Sequence, residues 1–112
     1  MDRSALVVHR GDVWWAELGG PAGRRPVLVL SRDEACAVRR YVTVAPLTTR
    51  RRDIPVEVDL GPGDGLPRVC VANLDSILTI AKAKLTDRVA GLHPAKVVEV
   101  NRALKFALGL GP

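Results

Sequence analysis

The side chains in this sequence best able to do chemistry are arginines. Arg24-Arg25, Arg39-Arg40 and Arg50-Arg51-Arg52 form three clusters within the first half of the 112 residues. Residues 1–52 hold 10 basic and 5 acidic side chains, residues 53–112 hold 7 of each, and the net charge of +5 therefore sits wholly in the first half. A planar guanidinium fork matches a pair of phosphate oxygens, and a one-sided basic surface gathers polyanions. The clusters fall at the ends of predicted strands, not along a solvated helix. That placement favours nucleic acid or an acidic protein partner over a merely solubilising surface.

The remaining reactive side chains form no constellation. Cys36 and Cys70 lie far apart and make no Cys-x-x-Cys pair, and neither groups with His9 or His93. Neither a structural metal nor a disulfide framework is expected. Cys70 stands in an apolar run and is expected in the core, and Cys36 is expected as a loop thiol. Trp14 and Trp15 point to opposite faces of one strand, so one belongs to the core and the other is free to stack a base. Trp14 stands as the candidate for nucleic-acid contact, with the choice between the two open.

The elements that must position these residues are mostly strands. Residues 13–18, 26–31, 41–46, 54–60 and 68–73 read as strands from their apolar runs or apolar–acidic alternation, and 75–80 continues or bends the fifth. Residues 19–23, 32–40, 47–53 and 61–67 read as loops. Residues 81–85 allow one helical turn, and 85–92 a short strand or irregular segment. Residues 94–108 form the one long helix: Pro94 suits a first helical position, and Gly109 an ending. Val97, Val100, Leu104, Ala107 and Leu108 share one face of it, with His93 expected to cap its start. Strands joined by short turns pair antiparallel. The expected architecture is a single domain over residues 1–112, mainly β with helices (α+β): a small barrel-like sheet covered by a C-terminal helix. Its core is mainly aliphatic, because only 4% of residues are aromatic. Residues 5–8 are too short an apolar run for a signal peptide, and nothing approaches the ~20 apolar residues of a membrane span. A cytoplasmic protein with no membrane partner is expected.

Five blocks in order resemble the MazF/PemK toxins. They are Arg10-Gly11-Asp12-Val13-Trp14-Trp15-Ala16-Glu17-Leu18, then Gly23-Arg24-Arg25-Pro26-Val27-Leu28-Val29-Leu30-Ser31, then Val42-Thr43-Val44-Ala45-Pro46-Leu47-Thr48-Thr49. Asn73-Leu74-Asp75-Ser76-Ile77-Leu78-Thr79-Ile80 and Leu85-Thr86-Asp87-Arg88-Val89 complete the set. The resemblance spans about residues 10–110. It implies a PemK/CcdB-like, SH3-like antiparallel barrel that forms a homodimer. It implies sequence-specific cleavage of single-stranded RNA without metal or cofactor, and neutralisation by a cognate acidic, MazE-like antitoxin whose disordered tail occupies the RNA groove.

Cleavage without metal uses the ribose 2′-OH as nucleophile and leaves a 2′,3′-cyclic phosphate and a 5′-OH. The 2′ proton must be taken, the charge building on phosphorus stabilised, and the departing 5′ oxygen protonated. The resemblance assigns catalysis to Arg25, by electrostatic clamping of phosphate oxygens, and to Thr48, by hydrogen bonding to a nonbridging oxygen. Thr49 is the substitute for Thr48 if the register is one residue off. Arg24, Arg50, Arg51 and Arg52 flank these two and are expected to track the phosphate backbone, and Asn73 and Asp75 to read base edges. Some family members carry a glutamate in the first loop as base. Residues 19–23 contain no carboxylate, so the general base is unassigned. The alternatives are a CcdB-like topoisomerase-inhibiting toxin on the same fold, which the residues after Leu108 equip poorly, and an RNA-binding module without cleavage.

Overall fold

A computed structural model describes residues 7–111, and the apolar run at 5–8 begins outside them. Among the described residues the order is β1 (Asp12–Glu17), β2 (Arg24–Val29), α1 (Asp33–Val38), β3 (Tyr41–Thr48), β4 (Glu57–Leu60), β5 (Cys70–Asn73), β6 (Leu78–Ala81), β7 (Leu85–Gly91) and α2 (Pro94–Leu108). The strands pair antiparallel in the order β4-β5-β3-β2-β1-β7, with β6 added on β3. β3 is the pivot. Its first half, Tyr41 to Val44, pairs with β6, and Leu47 and Thr48 pair with β5. Serving two successive partners bends the sheet into a barrel-like wall that does not close. α2 packs beside the edge strand β4, where Lys96 Nζ donates to the Asp59 carbonyl at 2.9 Å.

β2 shows why the run 27–30 is apolar without interruption. Leu28 and Leu30 enter one core cluster, with Val13, Ala45, Leu47 and the α2 residues Val100 and Ala103. Val27 and Val29 enter a second on the other face, with Trp14, Ala16, Val44 and Cys36. A strand buried on both faces has no polar position to show.

Several expectations change. Residues 32–40 are not all loop, because Asp33–Val38 form α1. Asp33 and Glu34 lie in its first turn, where negative charge suits the helix dipole, and Ala35 and Cys36 anchor it. Cys36 is thus a core residue, whereas Cys70 is only half-buried. The strand expected from residue 54 starts at Glu57, and the one expected from 68 starts at Cys70. Residues 75–80 bend into β6, and 82–84 form a 3-10 turn. α2 runs Pro94–Leu108 as expected, but Leu108 is exposed and Ala103 takes a buried place. His93 holds the capping position through its backbone alone: its carbonyl accepts from Lys96 N and Val97 N, and its side chain makes no cap. No helix among the described residues is long and apolar enough to cross a membrane.

The Arg10-Gly11-Asp12 block is a clamp. Arg10 donates to the Leu30 carbonyl at 3.0 Å and to Asn101 Oδ1 at 2.8 Å, tying the start of β1 to β2 and α2. Asp12 is buried, and its Oδ2 accepts from His9 N at 2.9 Å and Trp14 Nε1 at 3.3 Å. Its Oδ1 accepts from the Arg88 guanidinium of β7 at 3.3 Å. Gly11 has φ +89°, a conformation glycine supplies without strain. At Gly91 a side chain would collide with the Arg88 guanidinium on its way to Asp12. Removing the Asp12 carboxylate strands a buried indole N–H and a backbone N–H. Asp12→Ala should therefore lower unfolding stability by about 2–3 kcal/mol, read as a lower urea midpoint at unchanged slope. A midpoint equal to that of the unaltered chain contradicts the clamp.

Candidate active site

Arg25 and Thr48 are brought together by strand register. β2 and β3 align Val27 with Pro46, Leu28 with Ala45 and Val29 with Val44. Continued by two residues, this register sets Arg25 opposite Thr48. Each is also held on its other side, Arg25 opposite Ala16 and Thr48 opposite Val71. Both line a groove of about 520 Å³. Its floor is apolar, with Pro26, Leu47, Leu66 and Val89. The β1–β7 register shifts between Val13 and Trp14, which leaves Val89 as the extra residue of a bulge beside the groove.

The Arg25 side chain has no hydrogen bond or ion pair among the described residues. Thr48 Oγ1 accepts from the Arg50 backbone N–H at 3.1 Å. This is the turn contact expected of a threonine at a strand end, and it leaves the hydroxyl proton free to donate. Thr49 also lines the groove and is exposed.

The other arginines divide by their partners. Arg24 lines the groove but is held by Glu17 at 3.4 Å and Asp87 at 3.1 Å, with its guanidinium 4.3 Å from the Trp15 ring centre. Arg51 pairs with Asp53 at 2.8 Å and Asp59 at 3.0 Å, away from the groove lining. Arg50 and Arg52 are exposed and also outside the lining, and the Arg52 backbone N–H is bound by Glu57. Asn73 and Asp75 do not reach the groove. Asn73 Oδ1 accepts from Asp75 N at 2.8 Å and shapes the turn between β5 and β6. Trp14, the candidate for RNA contact, is in the core at 3% exposure, bound to Asp12, and Trp15 faces the groove in its place.

Arg68 is a further groove residue that its sequence context does not single out. It lies before β5, lines the groove, is exposed, and has no side-chain partner among the described residues. Its signal was a lone cation after Gly65-Leu66-Pro67, which only the turn after β4 carries to the groove. Among the described residues no three His, Cys, Asp or Glu side chains gather as a metal-ligand set.

A family model for the PemK-like, MazF-like toxins of type II toxin–antitoxin systems matches residues 9–108. The chain belongs to this family. It is 43% identical over 100 residues to a probable endoribonuclease MazF5 of Mycobacterium tuberculosis, covering 88% of this chain and 91% of that protein. It is 36% identical to the endoribonuclease MazF2 of Mycobacterium bovis, covering 94% and 100%. Among solved structures, a mycobacterial endoribonuclease in complex with its cognate antitoxin superposes with TM-score 0.84 at 37% identity, over 94% of this chain and 98% of that one. A MazE–MazF complex from Deinococcus radiodurans does so with TM-score 0.79 at 26% identity, over 95% and 99%. The matched span of this PemK/MazF member contains the clamp, both catalytic candidates and Arg68.

Cys70 gives a direct test of the groove geometry. Burial first, and the charge of Asp64 second, hold its thiol above the ordinary value of 9.0, so little thiolate forms at neutral pH. Iodoacetamide at pH 7.5 should label Cys70 several-fold more slowly than a small free thiol, followed by peptide mass to separate it from Cys36, with labelling still climbing above pH 9.0. Rapid labelling at pH 7.5 contradicts a half-buried groove floor.

Proposed function

We propose that this chain is a sequence-specific endoribonuclease toxin that cuts single-stranded RNA through 2′-OH attack, without a metal ion. The observation that carries this reading is the convergence of an unneutralised Arg25 and a hydroxyl donor, Thr48, on one groove of a PemK/MazF member. Relatives alignable over nearly their whole length are named endoribonucleases.

In the reaction the scissile phosphate lies between the two strand ends. Arg25 receives two phosphate oxygens in its fork as charge grows on phosphorus. A guanidinium stays protonated throughout the working pH range, so this contribution is electrostatic and not basic. Thr48, aligned by its contact to Arg50 N, donates to a nonbridging oxygen. Arg68, which lines the same groove, holds a neighbouring phosphate. The apolar floor lowers the local dielectric and strengthens each of these contacts.

The same features suit an acidic antitoxin whose extended tail lies in the groove and competes with RNA for Arg25 and Arg68. The protein works in the cytoplasm as a homodimer. Size-exclusion chromatography with light scattering tests the dimer.

A synthetic RNA incubated with pure protein in EDTA should be cut to 2′,3′-cyclic phosphate and 5′-OH ends. RNA that is bound but intact overturns the reading. Arg25→Ala should abolish cleavage while leaving the fold intact by circular dichroism. Thr48→Ala should slow it about ten- to a thousand-fold, the range for losing one transition-state donor. Cleavage by Arg25→Ala near the unaltered rate removes Arg25 from the chemistry.

A further inference from the structure

Arg24 and Trp15 form a feature that phosphate binding does not explain. The Arg24 guanidinium lies 4.3 Å from the centre of the Trp15 ring. Glu17, from the β1 position opposite it, binds Nε at 3.4 Å, and Asp87 of β7 binds a terminal nitrogen at 3.1 Å. Each of these exposed ion pairs is weak alone. Together with the ring they hold the guanidinium from two edges and one face. Its positive charge is already answered by two carboxylates, so it is a poor phosphate ligand beside the unpaired Arg25 and Arg68. What it offers the groove is a flat, fixed plane backed by an indole.

We propose that the Trp15–Arg24 stack is a nucleobase platform: one base of the bound RNA, next to the scissile phosphate, stacks against it. This deepens the RNA-cleaving reading and rests on it. Every base has a π face that stacks on an aromatic ring or a guanidinium plane, so the platform selects for an unpaired, splayed-out base and hence for single-stranded RNA. Trp15, Arg24 and Arg25 line the same groove, which puts the platform beside the phosphate that Arg25 receives. Glu17 and Asp87 are positioning residues: they touch Arg24 and act through it.

The test separates a stacking plane from a phosphate ligand. Binding is measured by fluorescence anisotropy with RNA oligonucleotides made uncleavable by a 2′-deoxy sugar at the cut site, at fixed salt. Arg24→Lys keeps the charge and loses the plane. It should weaken binding about ten- to a hundred-fold, the size of one base–aromatic stack. The Glu17→Gln/Asp87→Asn double variant should also weaken binding, because the plane is released. If Arg24 grips phosphate instead, lysine binds nearly as well, and removing the carboxylates tightens binding. Either result overturns the platform. A scan of single abasic sites identifies the stacked base. One abasic position should cost the unaltered chain about ten- to a hundred-fold and the Arg24→Lys variant little, because the two losses are one interaction. Equal costs in both proteins overturn the proposal. Trp15→Phe, which keeps a ring, and Trp15→Leu, which does not, are compared after both pass a thermal-melt check, with the larger loss expected for leucine. Cleavage of the all-ribose RNA is followed in parallel. Binding with the abasic signature but without cleavage removes the endoribonuclease reading and leaves the platform. Cleavage without the signature does the reverse.

Discussion

The site depends on one alignment, the antiparallel register that sets Val27 of β2 against Pro46 of β3. Side chains alternate faces along a strand, so a slip of one residue would carry Thr48 away from Arg25 and exchange every core residue of β2 with its neighbour. In a sheet with one wet face such a slip trades buried for exposed. Here both faces of β2 are buried, Leu28 on one side and Val27 and Val29 on the other. A slip would set each side chain into a space shaped for another, and close-packed interiors resist that on both sides at once. β2 is also flanked by β1 and β3. The catalytic candidates sit at the facing ends of β2 and β3, two neighbouring strands that each bury side chains on both faces.

Charge is distributed by pairing more than by number. A charge pair at 4 Å near a protein surface is worth about 4 kcal/mol before screening and desolvation. An arginine already facing one or two carboxylates therefore gains less from an added phosphate. Arg24, Arg51 and Arg88 are in that position. Arg25 and Arg68 are not, and they share a groove. The basic excess of the first half thus overstates how many arginines are available to an anion there. The second half, neutral in sum, contributes Arg68, one of the two unpaired arginines that line the groove.

These facts set the limit of what could be read from residues alone. The strand 26–31 and the helix 94–108 were legible because long apolar runs and helical spacing leave few alternatives. The placing of Arg25 and Thr48 in one groove was legible through the family blocks. The alternation of Trp14 and Trp15 was legible too, but not which one is core, because the strand buries residues on both faces and only its end meets the groove. α1 was missed because six residues are too few for periodicity to show, and its flanks are charged. Cys36 and Cys70 exchanged roles for the same reason: one is buried by that unseen helix, and the other sits where β5 enters the groove. Arg68 was invisible because its position is set by the turn after β4 and not by its neighbours in sequence. Asn73 and Asp75, expected at base edges, lie outside the groove lining, and Asn73 Oδ1 supplies the acceptor that the Asp75 N–H of a tight turn needs.

The lining of the groove bears on how such a site can work. Its titratable side chains are the guanidinia of Arg24, Arg25 and Arg68 and the thiol of Cys70. Burial, and the nearby charge of Asp64, raise the Cys70 thiol, which makes it a poor base near neutral pH. The nearest carboxylates on β1 and β7, Glu17 and Asp87, are engaged with Arg24. The first loop supplies glycines in place of an acid, with Gly19, Gly20 and Gly23 all at positive φ. On the proposed reaction the groove's own contribution is to stabilise charge on phosphorus, while solvent water takes the 2′ proton and delivers one to the departing 5′ oxygen. Losing one such donor in other enzymes costs about 3–4 kcal/mol of transition-state energy, so two or three of them in an apolar setting supply substantial rate without a dedicated base. On the proposed reading, specificity rests on how the RNA is held at Arg25 and Arg68 more than on the identity of a proton acceptor.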